Sequence, residues 1–176
     1  GDAFVAARFL DEYDVTVSLL GRPDGIATTI ARENWEALEA AEADLRTVRD
    51  SRDLDLGSPD VVVDAMLGTG VTGALREPER TAAEAINGLD TTVIAVDVPS
   101  GMDADTGEAV GIAVDADRVV TFHDTKPGLA DRDDLDVTVA DIGVPAAAER
   151  FVGPGDLLSL GRDPTSHKGD HGRVLV

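Results

Sequence analysis

Hydrophobic positions along the first fifty residues switch between two periods. From Phe4 to Leu10 apolar side chains recur at helical spacing behind Gly1 and Asp2, which predicts an amphipathic helix. Tyr13 to Leu19 then alternates with the two-residue period of a strand. A turn through Gly21, Pro23 and Gly25 follows, and beyond it Ile30, Trp35, Leu38 and Leu45 stand near helical spacing among Glu and Ala. That spacing predicts a helix from Thr28 or Thr29 to about Ala43, with Trp35 packing into the core rather than stacking on a ligand. Leu45 to Val48 reads as a short strand.

The second half repeats a different pattern. Val61, Val62 and Val63 form a compact apolar run that closes on Asp64 before a glycine-rich turn, as a buried parallel strand feeding a loop would. Pro78 opens a helix carrying Ala82, Ala85 and Ile86, and Gly88 closes it. Val93 to Val96 is again apolar and ends on an acid, Asp97. Asp117 to Phe122 and Leu135 to Asp141 supply two later strands, while residues 124–136, acidic and containing Gly and Pro, read as a loop or a short edge. Strands alternating with helices across short turns predict a Rossmann-like α/β fold, a three-layer sandwich around a mainly parallel central sheet.

Composition narrows the partners. The 176 residues, 43% hydrophobic, suffice for one sizeable core, and 35 acidic against 15 basic side chains give a net charge of −20. Such a surface repels nucleic-acid phosphates and anionic lipid alike. Asp outnumbers Glu by 25 to 10 and Arg outnumbers Lys by 13 to 2, a halophilic balance that points to a salt-loving organism, a haloarchaeon. At roughly 1 M salt the Debye length falls to about 3 Å, which quenches the repulsion among so many carboxylates. There is no cysteine, so disulfide and thiol chemistry are excluded. No apolar run approaches the roughly 20 residues of a membrane helix and no secretory leader is visible, so the soluble cytoplasm is expected. The start at Gly1 without methionine, and an unpaired apolar stop at Arg173 to Val176, suggest a fragment.

In an open α/β sheet, ligands bind beyond the carboxyl ends of the strands, so the residues closing each apolar run carry the chemistry. Asp64 leads into Gly68, Gly70 and Gly73, whose bare backbone lets amides approach an anion; the spacing matches the G-x-G-x-x-G of dinucleotide sites. The segment Arg76 to Pro78 delays the next helix, however, and Asp97 lies nearly 30 residues beyond Gly68, too far for the ribose acid of an ordinary dehydrogenase. The glycines therefore read either as an anion cradle or as a plain tight turn. Asp97-Val98-Pro99-Ser100-Gly101 sets a carboxylate, a rigid proline and a permissive glycine at one corner, which can turn carbonyl oxygens inward; carboxylate and carbonyl oxygens suit a hard cation. Asp64 and Asp97 equally suit caps of the turns that follow them. Lys126, one of two lysines, reads as a phosphate contact, as a proton carrier if desolvated, or as a solvated loop lysine. His123 reads as a strand-end polar residue, with no second His at metal-ligand spacing.

Together these segments resemble the NAD(P)H-hydrate epimerase family, from Gly1 to about Pro145. Val61 to Arg76 is similar to its strand, Asp, glycine loop and Arg. Asp97 to Gly101 resembles its D-[IV]-P-S-G corner, and Asp103 to Gly107 the D-x-x-T-G that follows. Ala116 to Phe122 with Lys126 to Leu129 is similar to A-D-x-T-V-T-F…K-x-G-L, and Asp141 to Pro145 to D-I-G-I-P. Of the family's first loop, N-N-G-G-D-G, only Gly1-Asp2-Ala3 is present, with Ala3 replacing the last glycine, and a missing asparagine is a potassium ligand in the family. Pro164 to Val176 resembles the opening of the partner ATP/ADP-dependent NAD(P)H-hydrate dehydratase. This divides the chain into a truncated epimerase domain 1–145, a link 146–163 and a dehydratase start 164–176.

The resemblance implies a repair enzyme, an isomerase fused to a lyase, that equilibrates the R and S forms of hydrated NADH and NADPH so that a stereospecific dehydratase can use both. It implies that Gly1, Asp2, Gly68, Thr69, Gly70, Val71, Thr72, Gly73 and Ala74 hold the dinucleotide phosphates, and that Asp97 meets the nicotinamide end. It further implies that Asp64 and the Ser100 carbonyl bind potassium, with ATP or ADP and Mg belonging to the dehydratase part. Epimerising a carbon that bears hydroxyl and ring nitrogen needs proton transfer, for which Asp97 is the first candidate and Lys126 the second. A non-catalytic nucleotide-binding or scaffold module on the same fold is the alternative reading; homo-oligomerisation and the choice between NADH and NADPH hydrates stay open.

Overall fold

The computed structural model describes residues 1–130 and 132–145 of the chain. The chain divides into two compact units, Gly1–Ala140 and Asp141–Val176. The proposed link and dehydratase start lie outside the described residues, so the fold that follows is that of the first unit.

Its elements run α1 (Asp2–Arg8), β1 (Thr16–Leu20), α2 (Thr29–Ala40), β2 (Asp44–Val48), β3 (Val61–Asp64), α3 (Glu79–Asn87), β4 (Thr92–Val96), β5 (Arg118–Phe122), α4 (Pro127–Ala130) and β6 (Asp136–Ala140). All strand pairings within the named strands are parallel, as the alternation of helix and strand predicts. They fall into two sheets where a single central one was expected: β1 pairs with β2, and a second sheet has the order β3-β4-β5-β6. In the second sheet Asp64 of β3 stands in register with Ala95 of β4, and Val96 with Val120 of β5. That register brings Asp64 and Asp97 to the same carboxyl end of neighbouring strands.

Around β1 and β2 the core is built by helix periodicity. The Thr28 hydroxyl caps α2 by accepting from the Ala31 amide at 3.2 Å, and Ala31, Trp35 and Leu38, spaced by four and three, are buried. Phe4 of α1 meets Trp35 edge to face, ring centroids 5.3 Å apart, so Trp35 is the packing residue its spacing suggested. Arg8 donates to Asn34 Oδ1 at 2.7 Å, and Asn34 Nδ2 returns a bond to the Ile30 carbonyl at 2.8 Å, which ties α1 to α2 through a buried amide.

A second core lies against the four-stranded sheet, where Val93, Ala95 and Val119 pack with Ala83 and Ile86 of α3 and Leu129 of α4. Two expectations change here. β3 is parallel but not buried throughout: Val61 and Val63, two apart and so on one face of the strand, are 48% and 45% exposed, while Val62 and Asp64 turn to the other face. The stretch expected as loop between β5 and β6 holds the short helix α4, which Pro127 starts with its preset φ.

Candidate active site

The β3 turn and the β4 corner are locked together through Ser100. Asp64 is 1% exposed, and its carboxylate accepts from the Ser100 amide at 2.7 Å, the Ser100 hydroxyl at 2.7 Å and the Met66 amide at 3.2 Å. The Ser100 hydroxyl in turn accepts from the Leu67 amide at 3.0 Å. Burial pushes the Asp64 carboxyl above its usual range, and the donors from Ser100 and Met66 pull it only part of the way back. No cationic side chain is paired with it among the described residues.

Gly101 closes this corner because nothing larger fits. Its φ is +94°, and a Cβ there would lie 2.7 Å from the Ile112 carbonyl oxygen, backbone that cannot swing aside. The glycine of the corner is thus required by close approach of two chain segments as well as by its turn.

Asp97 sits one residue past β4 in the left-handed region, φ +69°. A non-glycine residue there costs on the order of 1–2 kcal/mol. Its amide donates to Val120 O at 2.8 Å, which fixes the backbone against β5. The carboxylate makes two contacts through one oxygen: Thr121 donates to Oδ1 at 3.2 Å and Lys126 Nζ stands 3.1 Å from the same atom. The side chains of Lys126 and Asp97 are 22% and 17% exposed, so this pair is shielded from solvent more than a surface ion pair. The ammonium also donates to the Phe122 carbonyl at 2.8 Å and the Asp124 carbonyl at 3.3 Å. The other oxygen, Oδ2, faces Gly68, where a Cβ would lie 3.5 Å away.

Asp64 and Asp97 thus close neighbouring strands at the same end with separate partners, Ser100 and Met66 for the first and Thr121 and Lys126 for the second. Residues 68–74 form an exposed loop ahead of α3, whose first residue is Glu79, so the glycines do not open a helix. Gly73 alone of the three has a positive φ, +88°. Gly1 caps α1 and Asp2 begins it; both belong to the Phe4–Trp35 half of the unit, and no described hydrogen bond joins them to Asp97 or Lys126. The Ser100 carbonyl, expected as a potassium ligand, accepts from the Val114 amide at 2.9 Å, which leaves one lone pair for another partner.

Two features were missed by reading the residues alone. Thr121 is fully buried and reaches the Asp97 carboxylate across 24 residues of sequence; its only signal was a hydroxyl on the inward face of an apolar strand. Gly107 and Gly128 touch backbone to backbone, and the Gly128 amide donates to Ala104 O at 2.7 Å. This contact docks α4, and with it Lys126, onto the loop 103–107.

The family described as YjeF-related protein N-terminus matches residues 1–128. The chain is 48% identical over its whole length to the bifunctional NAD(P)H-hydrate repair enzyme Nnr of Methanothermobacter thermautotrophicus, of which it covers 36%. It is 49% identical, over 86% of its length and 73% of the relative's, to the NAD(P)H-hydrate epimerase of Cenarchaeum symbiosum. The chain thus spans about a third of the bifunctional relatives it matches. The crystal structure of yeast ynu0 superposes with a TM-score of 0.67 over 95% of this chain and 68% of its own, at 20% identity, and so shares the fold.

Proposed function

From the premise that this chain belongs to the family of YjeF-related protein N-termini, we propose that it interconverts the R and S forms of hydrated NADH and NADPH. The observation that carries the reading is the Asp97 carboxylate, held on one oxygen by Lys126 and Thr121 and with the other on the side of the glycine loop at Gly68. Inverting the hydroxylated ring carbon requires the hydroxyl to leave and return, or the ring to open and close. Either route moves a proton at the hydroxyl oxygen, and a positioned acid or base contributes about 10²–10⁴-fold to such a step. Asp97 is our candidate for it, and the exposed loop 68–74, with glycines at 68, 70 and 73 whose amides an anion can approach, is our candidate for the dinucleotide's phosphates.

For a monovalent cation our candidate is the buried acid Asp64, which has no ion pair to a cationic side chain among the described residues and whose oxygens already accept from Ser100 and Met66. Asp64 and the Ser100 carbonyl would be its ligands from this part of the chain, and its chemistry would be electrostatic, stiffening the corner that presents Asp97 and favouring anionic phosphate close by. Gly1 and Asp2 would complete the nucleotide site from the α1 side.

In the longer protein we place a second, dehydratase activity beyond Pro145, served by ATP or ADP and Mg, which consumes one of the two forms. No helix of the described residues is long and apolar enough to cross a membrane, and the cytoplasm, where reduced nicotinamide nucleotides turn over, is the compartment this reading entails.

Chiral chromatography of hydrated NADH incubated with the full-length protein and potassium tests the proposal. Equilibration of R and S faster than the spontaneous rate supports it. Asp97→Asn should slow that equilibration by about 10²-fold or more while nucleotide binding persists. A full-length protein that binds the nucleotide without accelerating interconversion would instead be the scaffold module.

A further inference from the structure

Resting on the epimerase reading, the geometry points to Oδ2 of Asp97 as the oxygen that exchanges the proton, with Thr121 and Lys126 as positioning residues that hold Oδ1. The two oxygens of this carboxylate have different surroundings. Oδ1 takes the Thr121 hydroxyl at 3.2 Å and the Lys126 ammonium at 3.1 Å. Oδ2 lies on the side of Gly68, where a Cβ would stand 3.5 Å from it.

An ammonium has three N–H groups. Two are donated to Phe122 O and Asp124 O at 2.8 and 3.3 Å, and the nitrogen stands 3.1 Å from Asp97 Oδ1 as an ion pair. Lys126 is thus tethered by its own loop beside Asp97, which suits it to orienting that carboxylate. Thr121 does the same from the interior, with its side chain at 0% exposure and its hydroxyl directed to the carboxylate. Rotation of a carboxylate about its terminal sp³–sp² bond is soft and broad, so an unclamped Asp97 would present Oδ1 and Oδ2 in turn. The Thr121 hydroxyl bond and the Lys126 charge, both on Oδ1, oppose that rotation and leave Oδ2 on the Gly68 side.

A buried hydroxyl needs an acceptor in any protein, so Thr121 would bond to Asp97 even if the reaction ignored it. Turnover separates the two cases. In the full-length protein, Thr121→Val keeps the shape and removes the hydroxyl, whereas Thr121→Ser keeps the hydroxyl and removes the methyl. Losing orientation at a reacting group costs up to about 10²-fold. The valine variant is therefore expected to lose roughly 10–100-fold in kcat with the nucleotide Kd unchanged, and the serine variant to recover most of that loss. A valine variant with full kcat overturns the inference, as does a serine variant as impaired as valine, which would make the methyl's packing the cause. If the valine variant does not fold by circular dichroism, Thr121→Ser decides together with Gly68→Ala. The latter adds a methyl 3.5 Å from Oδ2 at an exposed position and should cut kcat by more than tenfold. Full turnover in Gly68→Ala removes Oδ2 from the reaction. A wild-type protein that leaves R and S untouched sinks the epimerase reading itself, whereas an active wild type with an equally active valine variant sinks only the division between the oxygens.

Discussion

Gly107→Ala is the substitution whose cost the structure specifies most closely, because two separable penalties meet at one position. Gly107 has φ +74°, where an L side chain costs on the order of 1–2 kcal/mol. A Cβ there would also lie 2.5 Å from the Gly128 carbonyl oxygen and 3.3 and 3.4 Å from that residue's carbonyl carbon and Cα, all backbone. Forcing a methyl into a packed contact that cannot swing away costs about 1–3 kcal/mol more. Gly73→Ala isolates the first penalty, since Gly73 has φ +88° with nothing within 4 Å of the added atom. Urea unfolding should therefore place Gly73→Ala about 1–2 kcal/mol below wild type. Gly107→Ala should fall about 2–5 kcal/mol below, a melting shift on the order of 10 °C for a chain of this size. The packing penalty has a functional consequence, because relieving the clash moves α4 and Lys126 sits at its entrance, its carbonyl accepting from Leu129 N at 2.9 Å. Gly107→Ala protein that remains folded should accordingly lose kcat. A Gly107→Ala variant no less stable than Gly73→Ala would refute the claim that the 107–128 contact is tight and rigid.

Asp64→Ala strips the acceptor from the buried Ser100 amide and from Met66 N, and each donor left unpaired costs about 1–3 kcal/mol, so a loss of roughly 2–6 kcal/mol is expected in urea unfolding; a variant within 1 kcal/mol of wild type contradicts the buried network. A net charge of −20 should make the melting temperature climb as salt is raised from about 0.1 M to 1 M, where screening shortens the Debye length from about 10 to 3 Å; a flat calorimetric titration would remove the halophilic reading.

Local patterns along the chain already determined a good deal. Apolar runs that close on Asp64 and Asp97 marked two strand ends, helical spacing put Trp35 in a core, and the D-V-P-S-G corner with the K-P-G-L run identified the family. These are short-range signals, set by the period of one element or the spacing within one motif, and the structure keeps them. Tertiary structure alone decided which oxygen of Asp97 is held. Thr121 reads as an ordinary strand residue, because threonine suits strands wherever they occur, and only the parallel register of β4 and β5 carries its hydroxyl to a carboxylate 24 residues away. Docking of Gly128 on Gly107 likewise leaves no periodic trace: a glycine in a turn looks the same whether its missing side chain makes room for solvent, as at Gly73, or for another backbone. Contacts between segments distant in sequence depend on how whole elements are arranged, and the arrangement exists only once the sheets have formed.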